Sequence, residues 1–165
     1  MARIGVLTAA LTPEAIAADS AVYLAELAKH ARNGPMGVVG YCYSGGVALR
    51  IAAAHPDLIA AAASFHGGGL YDEGSLISPH LILPQVKAQL YFGHAVKDSF
   101  MPEAAIEAFD RALEKWRGRY ESEVYEGAFH SWTAPDSPYY NRDQADRAFG
   151  KLTGLLEATL GAPNS

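Results

Sequence analysis

The alternation of short apolar segments with helical patterns constrains the fold of this chain more than any other feature of its sequence. Apolar segments that fit strands occupy residues 36–41, 58–65 and 88–93, and a fourth strand at residues 120–125 alternates in the manner of a sheet edge. Patterns that fit helices flank them at residues 12–32, 47–54, 102–116 and 144–160. Strands and helices in this order are typical of a parallel sheet whose crossover helices cover its faces. We therefore predict a single three-layer α/β domain over residues 1–165.

Local signals refine this outline. The first helix begins with the N-cap signal Thr12-Pro13-Glu14, and its apolar stripe consists of Ile16, Tyr23, Leu24 and Leu27. The first strand is apolar throughout, which predicts a buried position in the sheet. Residues 70–86 lack periodicity, so we expect a long surface loop there. Gly150 and Gly154 lie four residues apart in the last helix, which predicts close packing against a neighbouring element.

The charge and cysteine content exclude several classes of protein. Lysine and arginine total 13 against 18 aspartates and glutamates, a net charge of −5, so neither nucleic acid nor an anionic membrane is an expected partner. No apolar run reaches the ~20 residues of a membrane span, and the N-terminal residues do not resemble a signal peptide. The only cysteine is Cys42, which excludes an internal disulfide and a cysteine-based zinc cluster. We expect a cytoplasmic protein with one free thiol.

Cys42 lies in the segment GYCYSG of residues 40–45, between a predicted strand and a helix of small residues. This is the context of a nucleophile elbow, in which glycines near the nucleophile leave room for a sharp turn. A cysteine there would stand at the helix N-terminus, where the helix dipole favours a thiolate. The alternative is a buried structural cysteine, since cysteine is among the commonest core residues. The strand–turn–helix context favours the nucleophile.

Asp98 and His130 lie where a catalytic triad would need them. Asp98 follows the third predicted strand, and His130 follows the fourth. Because the carboxyl ends of parallel strands meet at one edge of the sheet, side chains that follow them converge. The order of nucleophile, acid and histidine along the chain is that of the α/β-hydrolases. Alone, Asp98 would be interpreted as a turn residue and His130 as a surface histidine, but together with Cys42 they predict a triad.

The remaining sequence predicts no metal site and no cofactor. The other histidines fall in separate loops without the spacing of a zinc-binding helix, and no glycine-rich phosphate loop follows a strand. The run His66-Gly67-Gly68-Gly69 follows the nucleophile, whereas the oxyanion motif of this composition precedes it. We therefore interpret that run as a flexible loop at the edge of the site. Trp132 is our candidate for a substrate contact. Like Tyr139 and Tyr140, it fits an apolar substrate pocket or core packing equally well.

Four separated motifs resemble the dienelactone hydrolase family, a branch of the α/β-hydrolases that uses a cysteine nucleophile. They are GYCYSGGVAL at residues 40–49, SFHGG at 64–68, DSFMP at 98–102 and YEGAFH at 125–130. The resemblance implies that Cys42 attacks the carbonyl carbon of an ester or lactone, that His130 transfers the proton and that Asp98 orients His130. It also implies that the Tyr43 backbone N–H donates to the oxyanion.

The chain also departs from the pattern of that family. The family has several strands before the nucleophile strand, including a second oxyanion donor, whereas this sequence starts at the helix just before it. The family has an arginine a few residues after the histidine, and four residues after His130 this chain has Ala134 instead. We have no argument that Arg142, the nearest basic residue, takes its role. We therefore expect a truncated form of a longer enzyme, and we do not expect dienelactone itself as the substrate. The first strand would be left as an open edge, which favours pairing with another chain.

Our leading hypothesis is a hydrolase of small ester or lactone substrates that acts through Cys42, His130 and Asp98 without a cofactor. The alternative is a non-catalytic α/β module that forms a homo-oligomer or binds a partner through the exposed edge of its first strand. A redox sensor based on Cys42 is a weaker third hypothesis, because the chain has no second cysteine to resolve an oxidised thiol.

Overall fold

The computed structural model describes residues 8–31 and 33–161 of the chain. Its elements follow one another in the order that the sequence predicts. Helix α1 spans Pro13–His30, β1 Met36–Tyr41, α2 Ser44–Ala54 and β2 Ile59–Phe65, and a 3₁₀ helix at Pro79–Gln85 precedes β3 at Gln89–Ala95. Helix α3 spans Glu103–Trp116, β4 Tyr120–Tyr125 and α4 Arg142–Leu160.

The described strands form one parallel sheet in the order β1-β2-β3-β4. Strand β1 pairs with β2 with Gly40 opposite Ser64, and the register shifts by one residue between Met36 and Gly37. Strand β3 extends two residues beyond its predicted end at residue 93, because His94 and Ala95 continue the pairing with β4. All carboxyl ends lie at one edge of the sheet, so the loops that follow the strands meet there.

Helices cover both faces of the sheet, which confirms the three-layer α/β fold. Successive residues of β3 point to opposite faces. Leu90 and Phe92 pack with Phe109 in a core formed against α2, α3 and the 3₁₀ helix. Tyr91 packs on the other face with Leu152 of α4.

Strand β1 forms an edge of the described sheet, and its exposure corrects the prediction of a buried strand. Val39 and Tyr41 are 40% and 41% exposed, and Gly37 is exposed as well. The strand pairs with β2 on one side, while no strand of the described residues pairs with its other side. An apolar edge of this kind can accept a further strand.

The start of α1 agrees with its sequence signal, but its apolar stripe is only partly buried. The Thr12 hydroxyl accepts a hydrogen bond from the Ala15 amide at 3.2 Å, which caps the helix as predicted. Ile16 is buried in the core, whereas Tyr23 and Leu27 are 71% and 49% exposed. Local periodicity therefore located the helix correctly but did not determine which side chains are covered.

Two further predictions differ from the structure. Gly150 and Gly154 are exposed on α4, and a Cβ at either position would meet no atom within 4 Å, so the predicted close packing is wrong. Residues 70–86 are not simply a surface loop, because they contain the 3₁₀ helix and bury Leu70 and Leu83. None of the helices within the described ranges combines the length and hydropathy needed to cross a bilayer.

Candidate active site

Cys42 lies in the turn that joins β1 to α2, and its backbone adopts a φ of +54°. The turn leaves no space for a side chain at Gly40, where a Cβ would lie 2.0 Å from the Ser44 carbonyl oxygen. The Ser44 hydroxyl accepts a hydrogen bond from the Tyr41 amide at 2.8 Å and donates one to the Tyr41 carbonyl at 2.7 Å. These contacts close the turn and leave Cys42 exposed just before the first residue of α2.

Asp98 follows β3, and its side chain is 1% exposed. Its Oδ1 accepts a hydrogen bond from the Phe100 amide at 2.9 Å, and its Oδ2 lies 2.7 Å from His130 Nδ1. Because a carboxylate only accepts hydrogen bonds, Nδ1 of His130 carries the proton of this contact. The buried carboxylate therefore orients the imidazole and leaves Nε2 available on its other side.

His130 lies in the loop after β4, with its Nε2 3.1 Å from Cys42 Sγ. Its side chain is 19% exposed and packs against the ring of Phe100 at a centroid distance of 5.0 Å. The structure thus brings Cys42, His130 and Asp98, which follow three different strands, into one hydrogen-bonded chain. An imidazole placed between a thiol and a carboxylate can accept the thiol proton.

Backbone with positive φ is concentrated around these three residues. Of the five non-glycine residues with positive φ in the described ranges, Cys42, His66, Lys97 and Ser131 belong to the loops that carry the site. Each such residue costs about 1–3 kcal/mol, and such conformations persist where the surrounding structure imposes them, often at functional sites.

Tyr43 follows Cys42 and precedes the first turn of α2. Its amide makes no hydrogen bond to any of the residues that the structure describes. An amide in that position is available to donate to an oxyanion. The Tyr43 side chain is half exposed, and its hydroxyl lies 3.4 Å from the Thr8 carbonyl oxygen.

His66, which the sequence places only in a flexible loop at the edge of the site, is a buried residue in contact with the Cys42 turn. It follows β2 and is 3% exposed, and its Nδ1 accepts a hydrogen bond from the Cys42 amide at 3.1 Å. Its Nε2 lies 2.9 Å from Thr133 Oγ1. Burial and the neighbouring His130 lower the pKa of His66 to about 4, so the ring is neutral at pH 7. The available signal was its place at a strand end, which it shares with Cys42, Asp98 and His130.

Trp132 is fully buried and does not line the pocket beside Cys42, so of the two alternatives for this residue the geometry favours core packing over a substrate contact. Its ring stacks on Tyr125 at a centroid distance of 4.9 Å and meets His66 edge-on at 5.1 Å. Trp132 therefore supports the site from the core. Tyr139 and Tyr140 are exposed and line a separate shallow depression.

A pocket of about 750 Å³ opens beside Cys42 and His130. Its walls are mostly apolar and include Leu11, Ile16, Val47, Ile77, Pro79 and Phe100. Arg50 of α2 and Asp72 also line it. Arg50 donates a hydrogen bond to the Ile77 carbonyl oxygen, and no carboxylate of the described residues lies within ion-pair distance of its guanidinium. Arg50 thus presents a positive charge to a largely apolar pocket.

The described residues contain no group of three or more histidine, cysteine, aspartate or glutamate side chains that could hold a metal ion. Several histidines instead contact hydroxyl groups: His55 contacts Ser20, His80 contacts Ser78 and His94 contacts Ser122. These contacts are typical of structural histidines.

Comparison with known proteins identifies relatives of this chain. A Synechocystis sp. protein described as "Putative carboxymethylenebutenolidase" is 25% identical over 144 residues, which cover 86% of this chain and 58% of that protein. The crystal structure of a "Putative Dienelactone Hydrolase" from Klebsiella pneumoniae subsp. pneumoniae MGH 78578 has a TM-score of 0.81 at 23% identity, covering 90% of this chain and 62% of that one. A dienelactone hydrolase-like promiscuous phosphotriesterase from metagenomic libraries has a TM-score of 0.63 at 18% identity, covering 76% and 52%.

This chain therefore spans between 52% and 62% of the length of these relatives. The structural relatives, at these identities, establish the shared fold. The sequence pattern of the dienelactone hydrolase family matches residues 4–160, which is nearly the whole chain. The chain belongs to the dienelactone hydrolase family.

Proposed function

We propose that this chain hydrolyses a small ester or lactone through a covalent acyl-cysteine intermediate at Cys42. The observation that carries the proposal is the chain of contacts from Cys42 Sγ to His130 Nε2, at 3.1 Å, and from His130 Nδ1 to Asp98 Oδ2, at 2.7 Å. The order of the three residues along the chain, each after a different strand, supports the same reaction. Membership of a hydrolase family supports the reaction class.

In the first half-reaction, His130 Nε2 accepts the proton of the Cys42 thiol while Sγ forms a bond to the carbonyl carbon of the substrate. Negative charge moves to the carbonyl oxygen, to which the Tyr43 amide donates a hydrogen bond. When this intermediate collapses, the bond between the carbonyl carbon and the alcohol oxygen breaks, and that oxygen takes the proton from His130. In a lactone the released alcohol remains attached to the acyl group.

In the second half-reaction, His130 Nε2 accepts a proton from water while the water oxygen attacks the thioester carbonyl carbon. The carbon–sulfur bond then breaks, Cys42 recovers a proton from His130, and a carboxylic acid leaves. Asp98 holds the Nδ1 proton and stabilises the positive charge that His130 carries in each half-reaction. All atoms and protons are supplied by substrate, water and these side chains, so the proposed reaction uses no metal or cofactor.

The pocket supports a small-molecule substrate with an apolar body. Its volume of about 750 Å³ lies within the usual range for small-molecule sites, and its walls are mostly apolar. The net charge of −5 argues against a nucleic acid or an anionic membrane surface as the substrate. With a single cysteine and no possible internal disulfide, the chain fits a cytoplasmic enzyme.

Hydrolysis of p-nitrophenyl acetate by the purified chain tests the proposal. We expect release of p-nitrophenol, and we expect Cys42→Ala and His130→Ala each to lower kcat by at least about 10³-fold. Tyr139→Phe, at an exposed position outside the pocket, is the matched control and should retain wild-type activity. Equal turnover by wild type and Cys42→Ala would contradict the proposal.

The rate of Cys42 alkylation by iodoacetamide, measured against pH, tests the contact with His130 without any substrate. A thiol paired with an imidazole reacts as a thiolate well below the pH of about 8.5 at which a free cysteine titrates. We expect His130→Ala to move the rise in rate towards that pH. Identical profiles for the two proteins would mean that Cys42 and His130 do not interact in solution.

The exposed edge of β1 supports a second candidate function, a module that dimerises or binds a partner through that edge. Val39 and Tyr41 present apolar surface on a strand that lacks a described neighbour on one side. Sedimentation velocity distinguishes the candidates, since the module should form dimers that Val39→Lys disrupts. Dimers of this kind, in a protein without esterase activity, would favour the module over the enzyme.

A further inference from the structure

We propose that His66 is a positioning residue that holds the Cys42 turn against the loop carrying His130. The inference rests on the proposed function, since it concerns the geometry of the same triad. His66 follows β2, which lies between the strands that lead to Cys42 and to Asp98. Its backbone N–H donates to the Gly93 carbonyl oxygen at 2.7 Å, so its main chain is fixed to β3.

The hydrogen bonds of His66 determine which ring nitrogen carries the proton. The Cys42 backbone N–H is shared between the Phe65 carbonyl oxygen and His66 Nδ1, each 3.1 Å away. An N–H can only donate, so His66 Nδ1 accepts and is unprotonated. In the neutral ring the proton is therefore on Nε2, which donates to Thr133 Oγ1 at 2.9 Å. One imidazole thus bonds the nucleophile turn through one nitrogen and the His130 loop through the other.

The ring of His66 also packs directly against His130. Their centroids lie 5.0 Å apart with the planes at 64°, and on another side the ring meets Trp132 at 5.1 Å. A displaced His66 would therefore alter the relative position of Cys42 Sγ and His130 Nε2, which are in contact at 3.1 Å. A misplacement of about 1 Å between reacting groups can cost on the order of 100-fold in rate.

The neutral form of His66 suits this role. The side chain is buried, and burial together with His130 lowers its pKa to about 4, while Asp98 acts weakly in the opposite direction. A neutral ring keeps Nδ1 free to accept from the Cys42 amide. It also leaves the exchange of protons with the thiol to His130.

Three substitutions separate the two hydrogen bonds of His66. His66→Asn places an amide oxygen close to the position of Nδ1, and asparagine tolerates the φ of +42° found there. Thr133→Val removes the acceptor of the Nε2 bond and leaves His66 intact. His66→Phe keeps a ring and removes both bonds. The matched control is His94→Phe, which removes an equally buried histidine that contacts Ser122 and no triad side chain.

For His66→Phe we expect kcat with p-nitrophenyl acetate to fall about 10–100-fold at a nearly unchanged KM. The KM should stay close to the wild-type value because His66 does not line the pocket. The rise in the rate of Cys42 alkylation should move to higher pH. Thr133→Val should change both measurements less and in the same direction, and His66→Asn should recover most of kcat. His94→Phe should lower only the Tm.

Wild-type kcat and an unchanged alkylation profile in Thr133→Val and His66→Phe would overturn the positioning role and leave the proposed function intact. The role is equally overturned if His66→Asn is as impaired as His66→Phe. If His66→Phe does not fold, Thr133→Val and His66→Asn decide the question by the same two measurements. An inactive wild type whose Cys42 alkylates like a free thiol would instead contradict the proposed function, and this inference with it.

Discussion

The Asp98 carboxylate is almost fully buried, with one oxygen bonded to the Phe100 amide and the other to His130. Asp98→Asn preserves the shape of this side chain and can present an N–H donor to His130 Nδ1. That nitrogen would then have to accept, so the proton would move to Nε2, the nitrogen that faces Cys42 Sγ. We expect kcat with p-nitrophenyl acetate to fall by about 10⁴-fold with little change in KM.

Steady-state kinetics of the two proteins check this expectation, with circular dichroism to confirm that the variant is folded. Asp57→Asn is the matched control, since Asp57 pairs with Lys87 at an exposed position outside the pocket. A loss of activity in Asp98→Asn no greater than in Asp57→Asn would show that other contacts suffice to orient His130.

Arg50 places a positive charge in the pocket at a distance from the reacting sulfur. It lies six residues after Ser44, the first residue of α2, which corresponds to roughly 9 Å along that helix. Burial lowers the pKa of its guanidinium, and the nearby Tyr43 and Glu14 act in the opposite direction. We expect an ester with a carboxylate at the far end of its acyl chain to be hydrolysed about tenfold better than an uncharged ester of equal length.

The preference is measured as kcat/KM for p-nitrophenyl esters that end in a carboxylate or in a methyl group, over several chain lengths. Arg50→Met should remove the preference and keep the activity towards p-nitrophenyl acetate. Arg111→Met, which removes an exposed arginine of α3 that pairs with Glu107, should leave the preference unchanged. A preference that persists in Arg50→Met would show that Arg50 does not meet the carboxylate.

At the level of the elements, α2 approaches the end of β2 closely at Gly45. A Cβ there would lie 2.2 Å from Ser64 Oγ and 2.9 Å from Gly67 Cα. Neither a buried serine nor the backbone can yield freely, so we expect Gly45→Ala to lower the free energy of unfolding by about 1–3 kcal/mol in urea titrations. Unchanged stability would show that the α2–β2 contact is looser than this.

At the exposed glycines of α4, unlike at Gly45, we expect a substitution by alanine to stabilise the protein. Gly150 and Gly154 lie inside the helix, and an added Cβ would meet no atom within 4 Å at either position. Because alanine favours a helix over glycine by up to about 1 kcal/mol, each substitution to alanine should raise the free energy of unfolding. A loss of stability in urea titrations of both variants would show that this surface of α4 is covered in solution.

The elements were predictable because strand runs, helix caps and breakers act over a few residues. The meeting of Cys42, Asp98 and His130 was predictable as well, since parallel strands direct all their carboxyl ends to one edge. The exposure of β1 could not be predicted from the sequence, because it depends on which strands lie beside β1 in the sheet. The burial of the His66 ring and the choice of core packing for Trp132 were not predictable either, since packing between neighbouring strand ends decides which aromatic ring faces the site and which faces the core.

At the scale of the whole molecule, two buried neutral histidines make stability depend on pH. His66 and His94 are 3% and 1% exposed, and burial lowers the pKa of each to about 4. An unfolded histidine titrates near pH 6.5, so between about pH 6.5 and 4 the unfolded chain binds more protons than the folded one. Stability is therefore fully present above this window and falls as the pH drops through it, by about 2 kcal/mol per histidine between pH 7 and 5.

Urea unfolding at about pH 7, 6 and 5 measures this slope. Unfolded carboxyl groups titrate at about pH 4, so they contribute little between about pH 7 and 5. Most of the slope over that range therefore belongs to buried histidines, and His80, whose pKa burial also lowers, adds to it in the same direction. We expect His94→Asn to reduce the slope, because a buried neutral imidazole is replaced by a side chain that does not titrate. A wild type equally stable at all three values would contradict the burial of neutral rings. A slope that falls further when His66 is replaced as well as His94 means that both rings are neutral in the fold, as the acceptor role of His66 Nδ1 requires.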